Sequence, residues 1–111
     1  ELIDRGVDVN TKNDIGEPAL MVACRFNRIN TIKLLLDNGA DINARDSLGA
    51  TSLMQATRNE DRPVMQLLLD YNADLNATDN DGKTALNYTY DEKIKDLLRS
   101  YMADTKPARA I

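Results

Sequence analysis

The stretch from Leu34 to Met54, LLLDNGADINARDSLGATSLM, returns 33 positions later, from Leu67 to Asn87, as LLLDYNADLNATDNDGKTALN. Stepping back by the same interval gives a version cut short by Glu1. The register holds at many positions: Leu2, Leu35 and Leu68; Asp8, Asp41 and Asp74; Asn10, Asn43 and Asn76; Gly16, Gly49 and Gly82; Leu20, Leu53 and Leu86. A fixed period in this range is the mark of a repeat architecture, in which each unit buries its apolar face against its neighbours. No local motif constrains the fold as strongly.

The slots of the unit have physical readings. Thr51 and Thr84 stand just before apolar segments, where a hydroxyl accepts from the free N–H groups of a starting helix. Helix one then carries Leu20, Met21, Ala23 and Cys24, or Leu53, Met54 and Ala56, with small residues for close approach of two helices. Helix two carries Ile29, Ile32, Leu35 and Leu36, or Val64, Leu67 and Leu68, three or four apart on one face. Gly6, Gly39 and Asn72 follow the Leu runs and suit a helix C-terminus in the left-handed region. The Asp-x-Asn segments beyond them have turn chemistry.

Taken together, D-x-x-G-x-T-x-L, an apolar stretch, a Leu triplet and G-A-D-[IL]-N-A resemble the ankyrin repeat from Leu2 to about Tyr101. The fold this implies is all-α, an ankyrin-type solenoid of stacked helix-turn-helix units with projecting hairpin loops. The expected divisions are 1–12, the end of a truncated repeat; 13–45 and 46–78, two full repeats; 79–102, a C-terminal capping repeat; and 103–111, a tail. Leu2 and Ile3 lack the partners their copies keep, so further repeats are expected upstream. Pro18 replaces the Thr of the first full unit, and Asp61 is a candidate N-cap for helix two of the second. From Gly82 to Leu97 the last unit is three residues shorter than Gly49 to Leu67, a loss assigned to the turn between helices. Thr89 and Tyr90 fall on the slots of Ala56 and Thr57, and such departures suit a terminal unit with one face in water.

Composition restricts the function. With a formal charge of −4, no His and 14 Lys plus Arg in 111 residues, the chain shows no basic cluster of the kind that nucleic acid or an anionic membrane selects. The longest apolar run, Ile32 to Leu36, is broken by Lys33 and falls far short of the ~18 residues of a membrane span. Cys24 is alone and makes no internal disulfide. The default compartment is therefore the cytoplasm, with a secreted or periplasmic setting left open because the natural N-terminus is missing.

Catalytic motifs fail on inspection. Gly82-Lys83-Thr84 resembles the end of a phosphate loop, but the earlier glycine it requires is Ala77. A calcium loop on Asp79 and Asp81 would begin at Ala77 and end at Tyr88, neither of them a ligand. Cys24 has no His to activate it and reads as a core thiol, and the Met21 and Met54 stripe reads as packing. Asp41 and Asp74 recur in step, which suits hairpin shaping rather than a singular active site. No cofactor, metal or small-molecule substrate is expected, and the chain is read as not an enzyme.

Specificity can reside where the units disagree on a repeated scaffold. The hairpins supply Asp14, Ile15 and Glu17; Arg45, Ser47, Leu48 and Ala50; and Thr78, Asn80, Asp81 and Lys83. The ends of helix one supply Arg25, Phe26, Arg58 and Asn59. The ankyrin resemblance implies that these positions line a concave face on which a partner protein sits. Ile15, Phe26 and Leu48 beside Arg25, Arg45 and Arg58 have the apolar and Arg character of interface anchors. The reading is a non-catalytic protein-binding module, the alternatives being an inhibitor or immunity-type protein that blocks an enzyme with the same face, and a structural spacer.

Overall fold

The structure, a computed structural model, describes the backbone of residues 9–110 and the side chains of 9–102. Leu2, Ile3 and Gly6 lie outside the described residues. The helices are α1 (Ala19–Arg25), α2 (Ile29–Asp37), α3 (Ser52–Arg58), α4 (Arg62–Asp70) and α5 (Glu92–Ala110), with a single 3-10 turn at Ala85–Tyr88 between α4 and α5. Within a unit α1 packs on α2 and α3 on α4, while between units α1 packs on α3 and α3 on the 3-10 turn. The first helices thus form one row.

Side-chain caps start α3, α4 and α5. The Thr51 hydroxyl accepts from Met54 N–H at 3.3 Å, and Asp61 Oδ1 accepts from Val64 N–H at 3.4 Å. Asp91 does the same for α5, accepting from Lys93 N–H at 2.8 Å. Pro18 occupies the N-cap of α1 and makes no side-chain cap bond. The helices end in left-handed residues, Asn27, Gly39, Glu60 and Asn72. Each lets the next amide reach back, as in Ala40 N–H to Leu35 O at 2.9 Å and Asp61 N–H to Ala56 O at 3.0 Å. Glu60 takes this conformation with a full side chain, at a cost of about 1 kcal/mol.

Leu20, Met21, Ile32, Leu53, Met54, Val64, Met65, Leu68, Ile94 and Leu98 are all but fully buried. The helix-two face reaches further round than the sequence spacing indicates, because Met65 and Leu69 are buried while Ile29, Leu36 and Leu67 are half-buried. Cys24 lies in this core, where burial pushes its thiol up to about 12. Native protein at pH 8 is therefore expected to leave Cys24 unmodified by a thiol reagent that labels it fully in denaturant. Rapid labelling without denaturant would place the thiol at the surface instead.

Three expectations need correction at the last unit. The stretches between helices are equally long, Asn59–Asp61 and Thr89–Asp91, so the three missing residues come out of helix one, which shrinks to the 3-10 turn. Tyr90 accordingly does not fill the buried slot of Thr57 but stands 95% exposed, whereas Thr89 is buried. α5 also runs on to Ala110, through the segment expected to be a separate tail. Its outward side carries Glu92, Lys95, Asp96 and Arg99, which pair among themselves, with Arg99 at 3.2 Å from Asp96 and 3.5 Å from Glu92.

Side chains tie each unit to the next. Asn10 Oδ1 accepts from Asp41 N–H at 2.7 Å, and Asn43 Oδ1 from Asp74 N–H at 2.9 Å. Behind the helices, Tyr71 donates to Asp37 at 2.9 Å and Tyr101 to Asp70 at 2.6 Å. Once the three lost residues are counted, these two pairs are copies of one another.

Candidate functional site: the finger and first-helix face

Three fingers project from the row of first helices, and one residue shapes each of them. Asn13 Oδ1 accepts from the amides of Ile15 and Glu17, Asp46 Oδ1 from those of Leu48 and Ala50, and Asp79 Oδ1 from those of Asp81 and Lys83, at 2.8–3.1 Å. Three residues on, Gly16, Gly49 and Gly82 take φ values of +84°, +81° and +80°. Backbone bonds of 2.9–3.0 Å close each base, Asn13 to Glu17, Asp46 to Ala50 and Asp79 to Lys83. The tip side chains therefore stand on a rigid frame.

The fingers also stack. Asn80 N–H donates to Leu48 O at 3.1 Å and Asn80 Nδ2 to Ser47 O at 3.2 Å, which joins the second finger to the third. Ile15 and Leu48 are about two-thirds exposed, at 66% and 68%, so they are not consumed by packing between fingers. Phe26, at the far end of α1, is 60% exposed. Asp14, Arg45, Ser47, Asn59 and Thr78 are exposed as well.

Glu17 and Ala50 are not tip residues. Both close the base of a finger and are buried, so they leave the expected contact surface. Glu17 is paired internally: Arg25 donates to both of its carboxylate oxygens, Nη2 to Oε1 at 3.0 Å, and Asn13 Nδ2 donates to Oε1 at 3.0 Å. Arg25 meanwhile lies 5.3 Å from the Phe26 ring centre. The Arg25 bond, with Asn13 second, holds the Glu17 carboxyl below its ordinary 4.5. A depressed folded value stabilises the fold above about 4.5, and that contribution is lost as pH falls through the lower folded value. Glu17→Gln is thus expected to flatten the acid limb of a stability-versus-pH curve while leaving its alkaline side parallel. An unchanged acid limb would show that the pair contributes nothing.

The second and third units form a groove of about 370 Å³ lined by Leu48, Arg58, Asp79, Asn80, Asp81, Lys83, Asn87 and Tyr88. Five of these, Leu48, Arg58, Asn80, Asp81 and Lys83, are expected from the sequence; Asp79, Asn87 and Tyr88 are not. Arg58 lies over the Tyr88 ring at 5.2 Å, and the Tyr88 hydroxyl donates to Asp79 Oδ2 at 2.5 Å. Burial, followed by the Asp79 bond, pushes the Tyr88 phenol up to about 12. Tyr88 in turn holds Asp79 below the usual carboxylate range, helped by the Lys83 and Asp81 amides. Tyr88 reaches the groove because helix one ends there, and the shortened Gly82–Leu97 interval is the only sequence signal for it.

The chain-wide comparison agrees with this geometry. A family model of ankyrin repeats matches residues 1–79 in three copies. The chain belongs to the ankyrin-repeat family. The match ends where the unit with the truncated first helix begins, although that unit keeps the Asx-shaped finger and the packed second helix. No curated protein matches the chain. Ankyrin repeats are in general protein–protein interaction modules and typically non-catalytic. Among the described residues no group of three or more His, Cys, Asp or Glu is placed to hold a metal ion, and no helix is long and apolar enough to cross a membrane.

Proposed function

We propose that the chain is a rigid, non-catalytic module that binds a partner protein on the face made by its fingers and first helices. The observation that carries this reading is the exposure of Ile15 and Leu48 on finger frames held by repeated side-chain and backbone bonds, with Phe26 exposed at the end of α1. Apolar surface that is both exposed and fixed gains from burial while giving up little conformational freedom on docking. A standard interface takes about 800 Å² from each partner, and the three fingers with the groove are the surface proposed to supply it.

The test is a pull-down with the parent and with a variant carrying Phe26→Ala, Leu48→Ala and Arg58→Glu. Circular dichroism checks that both fold equally. A partner held by the parent is expected to be lost by the variant, and retention of the same partners by both overturns the reading. If the retained partner is an enzyme, its turnover in the complex distinguishes a blocking protein from an adaptor.

A further inference from the structure

We propose that the groove between the second and third units receives a carboxylate side chain of the partner, held by Arg58 and Lys83, with an adjoining apolar residue on Leu48. This rests on the binding face proposed above and names the chemistry that one part of it selects.

The argument comes from comparing equivalent positions. Arg25 and Arg58 end the first helices of successive units, 33 residues apart. The position equivalent to Glu17, which neutralises Arg25, is Ala50 in the second unit, so Arg58 loses that carboxylate. Among the described residues Arg58 has no carboxylate within ion-pair distance, and its guanidinium lies instead on Tyr88 in the groove wall. The guanidinium lies over the Tyr88 ring and beside its hydroxyl, which engages part of its five-donor fork and leaves the remaining donors for a carboxylate to match. Lys83, on the third finger, adds a second exposed cation to the same groove.

The groove also holds two acids. Asp79 is hydrogen-bonded by Tyr88 and by the Asp81 and Lys83 amides and makes no ion pair with Arg58. Asp81 is exposed on the fingertip, in solvent that screens it. Leu48, 68% exposed in the lining of the same groove, selects an apolar neighbour for the incoming acid.

The probe is acetyl-Leu-Glu-Leu-amide, titrated into the 111-residue chain and followed by the Arg58 Nε–H resonance, with acetyl-Leu-Gln-Leu-amide as the uncharged isostere. Saturable shifts are expected at Arg58 and not at Arg25, whose carboxylate is internal, and the Gln peptide is expected to bind roughly five- to tenfold more weakly. Arg58→Gln is expected to abolish the preference. So is Asp46→Asn with Ala50→Glu, which gives the second unit the first unit's own acceptor and amide. Equal binding of the two peptides, undiminished preference in Arg58→Gln, or no shift at Arg58 overturns the proposal. If the peptide fails while the triple variant still loses its partner, the carboxylate seat falls and the binding face stands. If the peptide binds while the triple variant keeps its partner, the anion site stands and the face is not the partner's seat.

Discussion

Leu68→Ala is expected to lower the free energy of unfolding by about 3 kcal/mol, within the range for deleting a fully buried leucine. Leu68 is 0% exposed in the middle of α4, and its carbonyl accepts the Ala73 amide that closes the helix. The lost methyl groups leave a cavity in the buried cluster that runs through the stacked units. Leu34 is the control, since it belongs to the same kind of Leu triplet but is 41% exposed; Leu34→Ala is expected to cost about 1 kcal/mol or less. Urea unfolding of the two variants beside the parent reads the difference as midpoint shifts. Against a usual total of about 5–15 kcal/mol, the Leu68 loss is large enough to weaken every function that depends on the stack. Equal shifts for the two variants would mean that α4 does not pack as described.

Gly49→Ala is the second large effect, and Gly82→Ala separates its causes. Both glycines have φ near +80°, so alanine at either incurs about 1–2 kcal/mol of backbone strain. At Gly82 a Cβ meets nothing within 4 Å, and strain is the whole cost. At Gly49 it would stand 2.4 Å from Asn80 Oδ1 and 2.7 Å from Asn80 N, too close for the third finger to stay where it is. The expected stability loss is therefore distinctly larger at Gly49, by about 1 kcal/mol or more. Gly49→Ala is also expected to break the Asn80 bonds to Leu48 and Ser47 and splay the groove, seen as changed amide shifts from Leu48 to Lys83. Identical losses at the two sites would show that the second and third fingers are not in contact.

Much of this was legible in the sequence because a repeat states each structural requirement several times. Thr51 and Asp61 before apolar runs, and Gly39 and Asn72 after them, mark helix ends by local chemistry, and they are where the helices begin and end. The finger positions were less accessible. Glu17, Ala50 and Lys83 disagree in type, which reads as surface variability, yet all three close finger bases and the first two are buried. Local pattern does not distinguish tip from base; the backbone bond from the shaping residue does. The last unit was the least accessible part, because a three-residue deficit can be drawn from a turn or from a helix with the same count. Tyr88 in the groove, its bond to Asp79 and the Arg58 stacking all depend on which of these occurs. Those contacts are long-range or span the irregular unit, so no period announces them.

The fingers divide their labour between residues that hold shape and residues that face outward. Shape resides in the Asn or Asp at 13, 46 and 79 and the glycine three positions on, and it acts through backbone amides without calling on the side chains at 14, 15 or 48. Those positions are exposed, and a substitution there leaves the bonds that form the loop in place. The molecule therefore separates grammar from vocabulary: a lineage carrying this frame can rewrite its tips through a few substitutions without first gathering stability to absorb them.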